Sequence, residues 1–205
     1  ARYQCATRKL LKTLATDLRH VVAAGDRVVF RPEPSSEAIG EGIIERVEPR
    51  HGVLSRTSRG RQHVIATNVD QILIVGSAAE PDLKPHLIDR FLLTAEKCQI
   101  QPVVVINKID LVDRASLQPL LGVYSQLGYL VLQVSAQTGF GMDRLRRLMH
   151  GRESAVVGQS GVGKSSLLNA IDPDLKLRVA EVSRETQKGK HTTTSAGLLR
   201  QAGGG

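Results

Sequence analysis

The chain has 205 residues, room for one large domain or two modest ones, and its 41% apolar content is enough for a packed core. No run approaches the ~20 apolar residues of a membrane span, and no apolar leader opens the chain. The two cysteines, Cys5 and Cys98, lack CxxC spacing, which excludes a disulfide framework or a cysteine-rich zinc site and leaves a reduced, cytoplasmic, membrane-free protein as the expectation. The net charge of +8 favours an acidic partner, with nucleic acid the first candidate. The basic excess sits at the two ends: residues 1–65 hold 12 Lys and Arg against 7 Asp and Glu, residues 66–150 hold 8 against 8, and residues 151–205 hold 8 against 5.

Taken in order, residues 1–66 read as short β segments. Val28-Val29-Phe30 follows a Gly25-Asp26 turn, Ile39 to Val47 alternates around Gly40 and Gly42, and Val53-Leu54 and His63-Val64-Ile65 follow polar turns. Several short strands at close spacing predict a small all-β barrel of the OB type. From Asn68 the pattern becomes strand alternating with helix. Gln71 to Val75, Pro102 to Ile106, Tyr129 to Val134 and Glu153 to Val157 read as strands; His86 to Gln99, Met142 to Met149 and Ser165 to Ala170 read as helices. Such alternation predicts an α/β domain over residues 67–205, with a mostly parallel sheet and ligands at the carboxyl ends of its strands.

The motifs that carry chemistry lie at those ends. Gly158-Gln159-Ser160-Gly161-Val162-Gly163-Lys164-Ser165, followed by Ser166, fits G-x-x-x-x-G-K-[ST] between a strand and a helix. Its glycines let backbone N–H groups curl around phosphates, and the helix N-terminus adds a favourable dipole. Lys164 is placed to reach the β- and γ-phosphates and Ser165 to coordinate Mg²⁺. The tetrad Asn107-Lys108-Ile109-Asp110 directly follows a strand. A carboxylate only accepts hydrogen bonds, so Asp110 can take both N1–H and N2–H₂ of guanine, which adenine cannot supply. Lys108 can lay its stem over the purine, and Asn107 can brace the adjoining loops. Ser135-Ala136 follows the third strand and can offer a backbone N–H to guanine O6. Beyond the phosphate loop, the polar stretch from Asp172 to Lys190 ends at His191-Thr192-Thr193-Thr194. A threonine there can complete a Mg²⁺ shell and sense the γ-phosphate. Spacing leaves open which of the three it is, with Thr193 preferred; Lys164 and Thr193 are the phosphate- and Mg²⁺-assisting candidates, and no catalytic base is assigned.

With base reader, serine-alanine loop, phosphate loop and switch threonines in that order, the chain resembles the circularly permuted GTPases. Among them it is most similar to the RsgA (YjeQ/EngC) family of small-subunit-dependent GTPases. Asn68-Val-Asp-Gln-Ile72, Leu87-Ile-Asp-Arg90 and Gly158 through Asn169 carry the resemblance with the tetrad and His191 to Thr194, as do Gly25-Asp-Arg-Val28 and the arginine-rich segment from Arg50 to Arg61. The resemblance implies an OB domain that binds 16S rRNA, GTP/GDP and Mg²⁺ as ligands, GTP hydrolysis, and late maturation of the 30S subunit by a monomer. It also implies a D-x-P-G motif and a zinc domain after Gly205; residues 1–205 contain neither, so no zinc ligands are expected here, and hydrolysis is expected to depend on that later motif. Gly161 stands where potassium-stimulated relatives carry asparagine, so no potassium dependence is expected. Two other readings remain: a permuted GTPase of large-subunit assembly, which the N-terminal barrel disfavours, and a nucleotide-independent RNA-binding module.

Overall fold

The computed structural model describes residues 2–7, 22–33, 40–58 and 61–177, in two compact units that divide at Val69 and Asp70. In the first unit, β1 (Tyr3–Thr7) runs parallel to β3 (Gly40–Val47), and β2 (Val28–Glu33) pairs antiparallel on the other side of β3, with a bulge at Val29 and Phe30. A second sheet is the hairpin of β4 (Leu54–Ser58) and β5 (Arg61–Ala66). Gly40 and Gly42 give β3 its packing surface. A Cβ on Gly40 would lie 2.5 Å from the Tyr3 ring, and one on Gly42 would lie 2.8 Å from the Phe30 ring. The two rings meet at 4.8 Å with a tilt of 55°, so the bare strand is roofed by an aromatic pair.

Polar chemistry ties the turns of this unit together. Asp26 is 1% exposed, and its carboxylate accepts four hydrogen bonds: from Arg50 Nε (2.7 Å) and Nη2 (2.8 Å), from the Ala23 N–H (2.7 Å) and from Thr67 Oγ1 (2.8 Å). Beside it, Asn68 donates to the Gly25 carbonyl (2.8 Å) and accepts from the His51 N–H (3.1 Å). Three segments far apart in sequence are thereby fastened at one point. Both Asp26 oxygens use their full acceptor capacity, which is what a buried carboxylate requires.

The second unit is a four-stranded, fully parallel sheet in the order β8-β7-β6-β9, made of β6 (Gln71–Ser77), β7 (Gln101–Asn107), β8 (Leu130–Gln133) and β9 (Ser154–Gly158). Helices α1 (Pro85–Lys97), α2 (Gln118–Gln126), α3 (Met142–Met149) and α4 (Lys164–Ile171) form the crossovers and the segment that follows the sheet. One face of the sheet presents Leu73, Val75, Val103, Val105 and Leu132 to Leu145, Met149, Leu167 and Ile171 of α3 and α4. On the opposite face α1 packs on β6 and β7, with Ile88, Leu92 and Ala95 buried. Both faces are covered, which explains why the strands are continuous apolar runs rather than alternating ones.

Sequence periodicity missed α2. Pro119 and Gly122 interrupt its pattern, yet proline is tolerated in a first turn, and Leu121 and Tyr124 still bury one stripe. The Tyr124 hydroxyl donates to Asp89 at 2.9 Å, joining α2 to α1. Burial, that hydrogen bond and the Asp89 charge all push the phenol pKa up.

Candidate nucleotide site

The carboxyl ends of β7 and β9 flank that of β6, so the base-reading tetrad and the phosphate loop emerge at the same edge of the sheet, about 10 Å apart at two strand spacings. Asn107, the last residue of β7, is 1% exposed and closes that gap. Its Nδ2 donates to the Val162 carbonyl in the phosphate loop (2.9 Å), and its Oδ1 accepts from the Ala136 N–H in the loop after β8 (3.2 Å). One side chain therefore sets the spacing of three loops, and both of its ends are satisfied.

Lys108 takes the left-handed conformation (φ 61°), which turns the chain abruptly off β7; its ammonium reaches the Glu80 carbonyl in the loop after β6. Ile109 is buried as an anchor, while Asp110 is exposed, open to a ligand. The buried Ser135 donates its hydroxyl to Asp110 Oδ1 and accepts from the Thr138 N–H at 3.0 Å. The Ser135 hydroxyl thus orients the carboxylate from behind. Neither the Ser135 hydroxyl nor the Glu80 carbonyl was marked by the motifs: Glu80 lies 28 residues before Lys108, and the serine was read only for its backbone.

In the phosphate loop, Gly158, Gly161 and Gly163 all have positive φ (151°, 84° and 91°). Gln159, Ser160 and Gly161 form the arch between β9 and the buried Val162. Lys164 opens α4 and folds back, donating to the carbonyls of Gly158 (2.9 Å) and Gln159 (2.8 Å). Burial pulls its pKa below the ordinary lysine value. Ser165 and Ser166 lie half-buried in the first turn of α4, at the positive end of the helix dipole. After α4, Asn169 exchanges two 2.9 Å hydrogen bonds with the Leu177 backbone and so fixes the outgoing chain. Thr192, Thr193, Thr194 and His191 lie outside the described residues.

Gly163 packs directly against the Asn107 bridge. A Cβ there would overlap the Asn107 amide, in a backbone conformation that L-residues disfavour. Gly163→Ala is therefore expected to cost about 2–3 kcal/mol from left-handed strain plus the disturbed Asn107 bond. Urea denaturation reads the loss; an unchanged midpoint would show that Asn107 can move without penalty.

A strand–loop–helix phosphate cradle, braced by an asparagine against an aspartate-bearing loop, can hold a purine nucleotide with phosphates on backbone N–H groups and the base on Asp110. Comparison with known proteins places that arrangement. The family model described as RsgA GTPase matches residues 47–205. The "Small ribosomal subunit biogenesis GTPase RsgA" of Chlorobaculum parvum is 42% identical over 193 residues, covering 91% of this chain and 62% of its own length. The protein of the same name from Sodalis glossinidius is 44% identical over 209 residues, covering 99% of this chain and 58% of its own. Among solved structures, YjeQ from Thermotoga maritima matches with a TM-score of 0.72 at 36% identity, over 98% of this chain and 63% of that one. YloQ, described as a circularly permuted GTPase, matches with a TM-score of 0.56 at 31% identity, over 84% and 56%. The chain spans about three fifths of the length of the curated relatives it matches. A family match over most of the chain, agreeing with a base reader that precedes the phosphate loop, makes this chain a member of the RsgA GTPase family.

Proposed function

We propose that this chain is the GTP-binding part of a GTPase that binds the 30S ribosomal subunit and assists its late maturation in the cytoplasm. The observation that carries the nucleotide reading is the Asn107 bridge, which holds the base-reading loop and the phosphate loop at one sheet edge. The partner reading is supported by the printed names of the relatives and by the net charge of +8.

In this reading Asp110 selects guanine, Lys108 covers the ring, the Ser135-Ala136 loop, whose N–H groups are held by the Phe140 carbonyl and Asn107 Oδ1, borders the base, and the N–H groups from Gly158 to Ser166 hold the phosphates. Lys164 exchanges its two loop carbonyls for phosphate oxygens, a stronger charge-assisted pairing. The donor chemistry fits Mg²⁺: Ser165 offers a hard hydroxyl oxygen beside the phosphate site, and magnesium keeps phosphate oxygens and waters as its other ligands. When bound, the ion neutralises charge on the β- and γ-phosphates. Thr193 is proposed as its second protein ligand, and hydrolysis is proposed for the whole protein.

For residues 1–66 we propose an OB-type, rRNA-binding barrel, supported by five short strands and the basic excess of this segment. Residues 67–205 are then the permuted GTPase domain, acting as a monomer on 16S rRNA.

The test is competition for fluorescent GDP together with co-sedimentation. GTP is expected to displace the probe and ATP to leave it bound, and the protein is expected to pellet with 30S and not 50S particles. Equal competition by ATP would remove the guanine assignment. Pelleting with 50S would favour large-subunit assembly, and 30S affinity indifferent to nucleotide would reduce the chain to an RNA-binding module.

A further inference from the structure

A second site lies along the edge strand β8, at the far end of the Ser135-to-Phe140 loop in sequence. There a cleft of about 550 Å³ is lined by Arg114, Gln118, Gln133, Phe140 and Arg144, with Val131 in its floor. The volume falls within the range of ligand-binding clefts. Its lining holds two arginines and no carboxylate. The nearest carboxylates in sequence are occupied: Asp113 accepts from the Ala115 N–H (3.1 Å), and Asp143 is paired with Arg146 (2.7 Å). Arg144 has no acidic partner among the described residues.

Phe140 is 49% exposed, in a chain with only 3% aromatic residues and no tryptophan. The Arg114 guanidinium lies 4.8 Å from the centre of its ring. A guanidinium held over an exposed ring presents a positively charged aromatic platform. Gln118 and Gln133 add side-chain donors and acceptors at its sides. Flat stacking surface, amide edge groups and fork-shaped cations are together the chemistry that accommodates an unpaired base and its flanking phosphates. An acidic protein segment would use the arginines but has no use for the platform.

We infer that the β8-edge cleft binds single-stranded RNA, one base resting against the Arg114–Phe140 pair and the adjoining phosphate on Arg144. The inference rests on the proposed ribosomal role for its biological setting, and on the cleft alone for its chemistry. Because Ser135-Ala136 and Phe140 belong to the same loop, the cleft and the guanine site share one support: the Ser135 N–H donates to the Phe140 carbonyl at 3.0 Å.

The test uses the 205-residue chain and a fluorescein-labelled, twelve-nucleotide uridine RNA, read by anisotropy, with fluorescent-GDP affinity and 30S co-sedimentation measured in parallel. Arg114→Ala combined with Phe140→Leu is expected to weaken RNA binding by roughly tenfold or more, the worth of one stacked base. Phe140→Tyr keeps the ring and is expected to stay within about twofold of the parent, because stacking is indifferent to the hydroxyl. Arg144→Gln is expected to reduce the slope of log affinity against log salt by about 0.7, one phosphate contact to a single strand. Unchanged RNA affinity in the double variant overturns the cleft, as does a parent that pellets with 30S yet binds no uridine RNA; in both cases the small-subunit reading stands. Equal losses for duplex RNA would overturn base stacking, and equal losses for a polyglutamate peptide would replace RNA by an acidic protein partner. Loss of 30S pelleting with uridine binding intact would instead remove the ribosomal reading and leave the cleft.

Discussion

Asp110→Asn is expected to abolish guanine preference and create a preference for xanthine nucleotides. The carboxylate is exposed at the end of the base-reading loop and is oriented by the Ser135 hydroxyl, so the substitution changes its chemistry and leaves its placement in the hands of Ser135. Two charge-assisted hydrogen bonds to guanine are lost at about 1.5–3 kcal/mol each, a fall of roughly 10²- to 10⁴-fold in GDP affinity. The new amide can donate to the C2 carbonyl of xanthine where the carboxylate could only repel it. Competition of GDP, XDP and ADP for a fluorescent nucleotide measures the exchange. A variant that still prefers GDP over XDP would show that the base is read elsewhere.

The second large effect is on stability. Asp26→Ala removes the acceptor of four hydrogen bonds at a side chain with 1% exposure and leaves Arg50, itself only 17% exposed, without its bidentate carboxylate. Removing one partner of such a pair costs about 3–5 kcal/mol. Urea denaturation at neutral pH should show that loss, and a change below about 1 kcal/mol, the worth of an exposed pair, would mean the site relaxes around water. The same residue predicts a pH dependence. Burial alone raises the Asp26 carboxyl, but hydrogen bonds from Arg50, the Ala23 N–H and Thr67, with the Arg50 charge, outweigh it and hold the pKa below the ordinary 3.8. A carboxyl whose native pKa lies below its unfolded value stabilises the fold at any pH above the unfolded value; the contribution disappears as pH falls through the native one. The stability gap between the parent and Asp26→Ala is therefore expected to be flat from neutral pH down to the ordinary carboxyl value and to shrink below it. A gap that widens in acid would contradict this sign.

How legible each part was in the sequence follows from the range of the interactions involved. Strands β6 and β7 were evident because burial on both faces demands unbroken apolar runs, and the phosphate loop because its glycines fall at fixed short spacings between a strand and a lysine-led helix. The Asp26–Arg50 pair was not, because it joins residues 24 apart, and nothing local marks Arg50 as spoken for. Sequence reading placed Arg50 at the head of an arginine-rich segment that resembles the family; folded, its charge is paired with the buried Asp26. Helix α2 was hidden for the opposite reason: tertiary burial of Leu121 and Tyr124 outweighs the local cost of Pro119 and Gly122. The bond from the Ser135 hydroxyl to Asp110 also escaped, because a side chain that positions another leaves no spacing rule behind it.

The strand order β8-β7-β6-β9 carries a consequence for how the domain is made on the ribosome. As the chain emerges from its N-terminus, β6 comes first, β7 lays against one side of it, and β8 extends that side. Among the described strands β9, with the phosphate loop, comes after the other three and adds to the other side of β6. Each of these four strands meets an edge that is already there, and none has to force its way between two partners. Vectorial growth of this kind lets a domain condense as it is translated. Asn107 then waits, already placed at the end of β7, for the Val162 carbonyl that ties the glycine-rich loop to β7 when α4 begins to form.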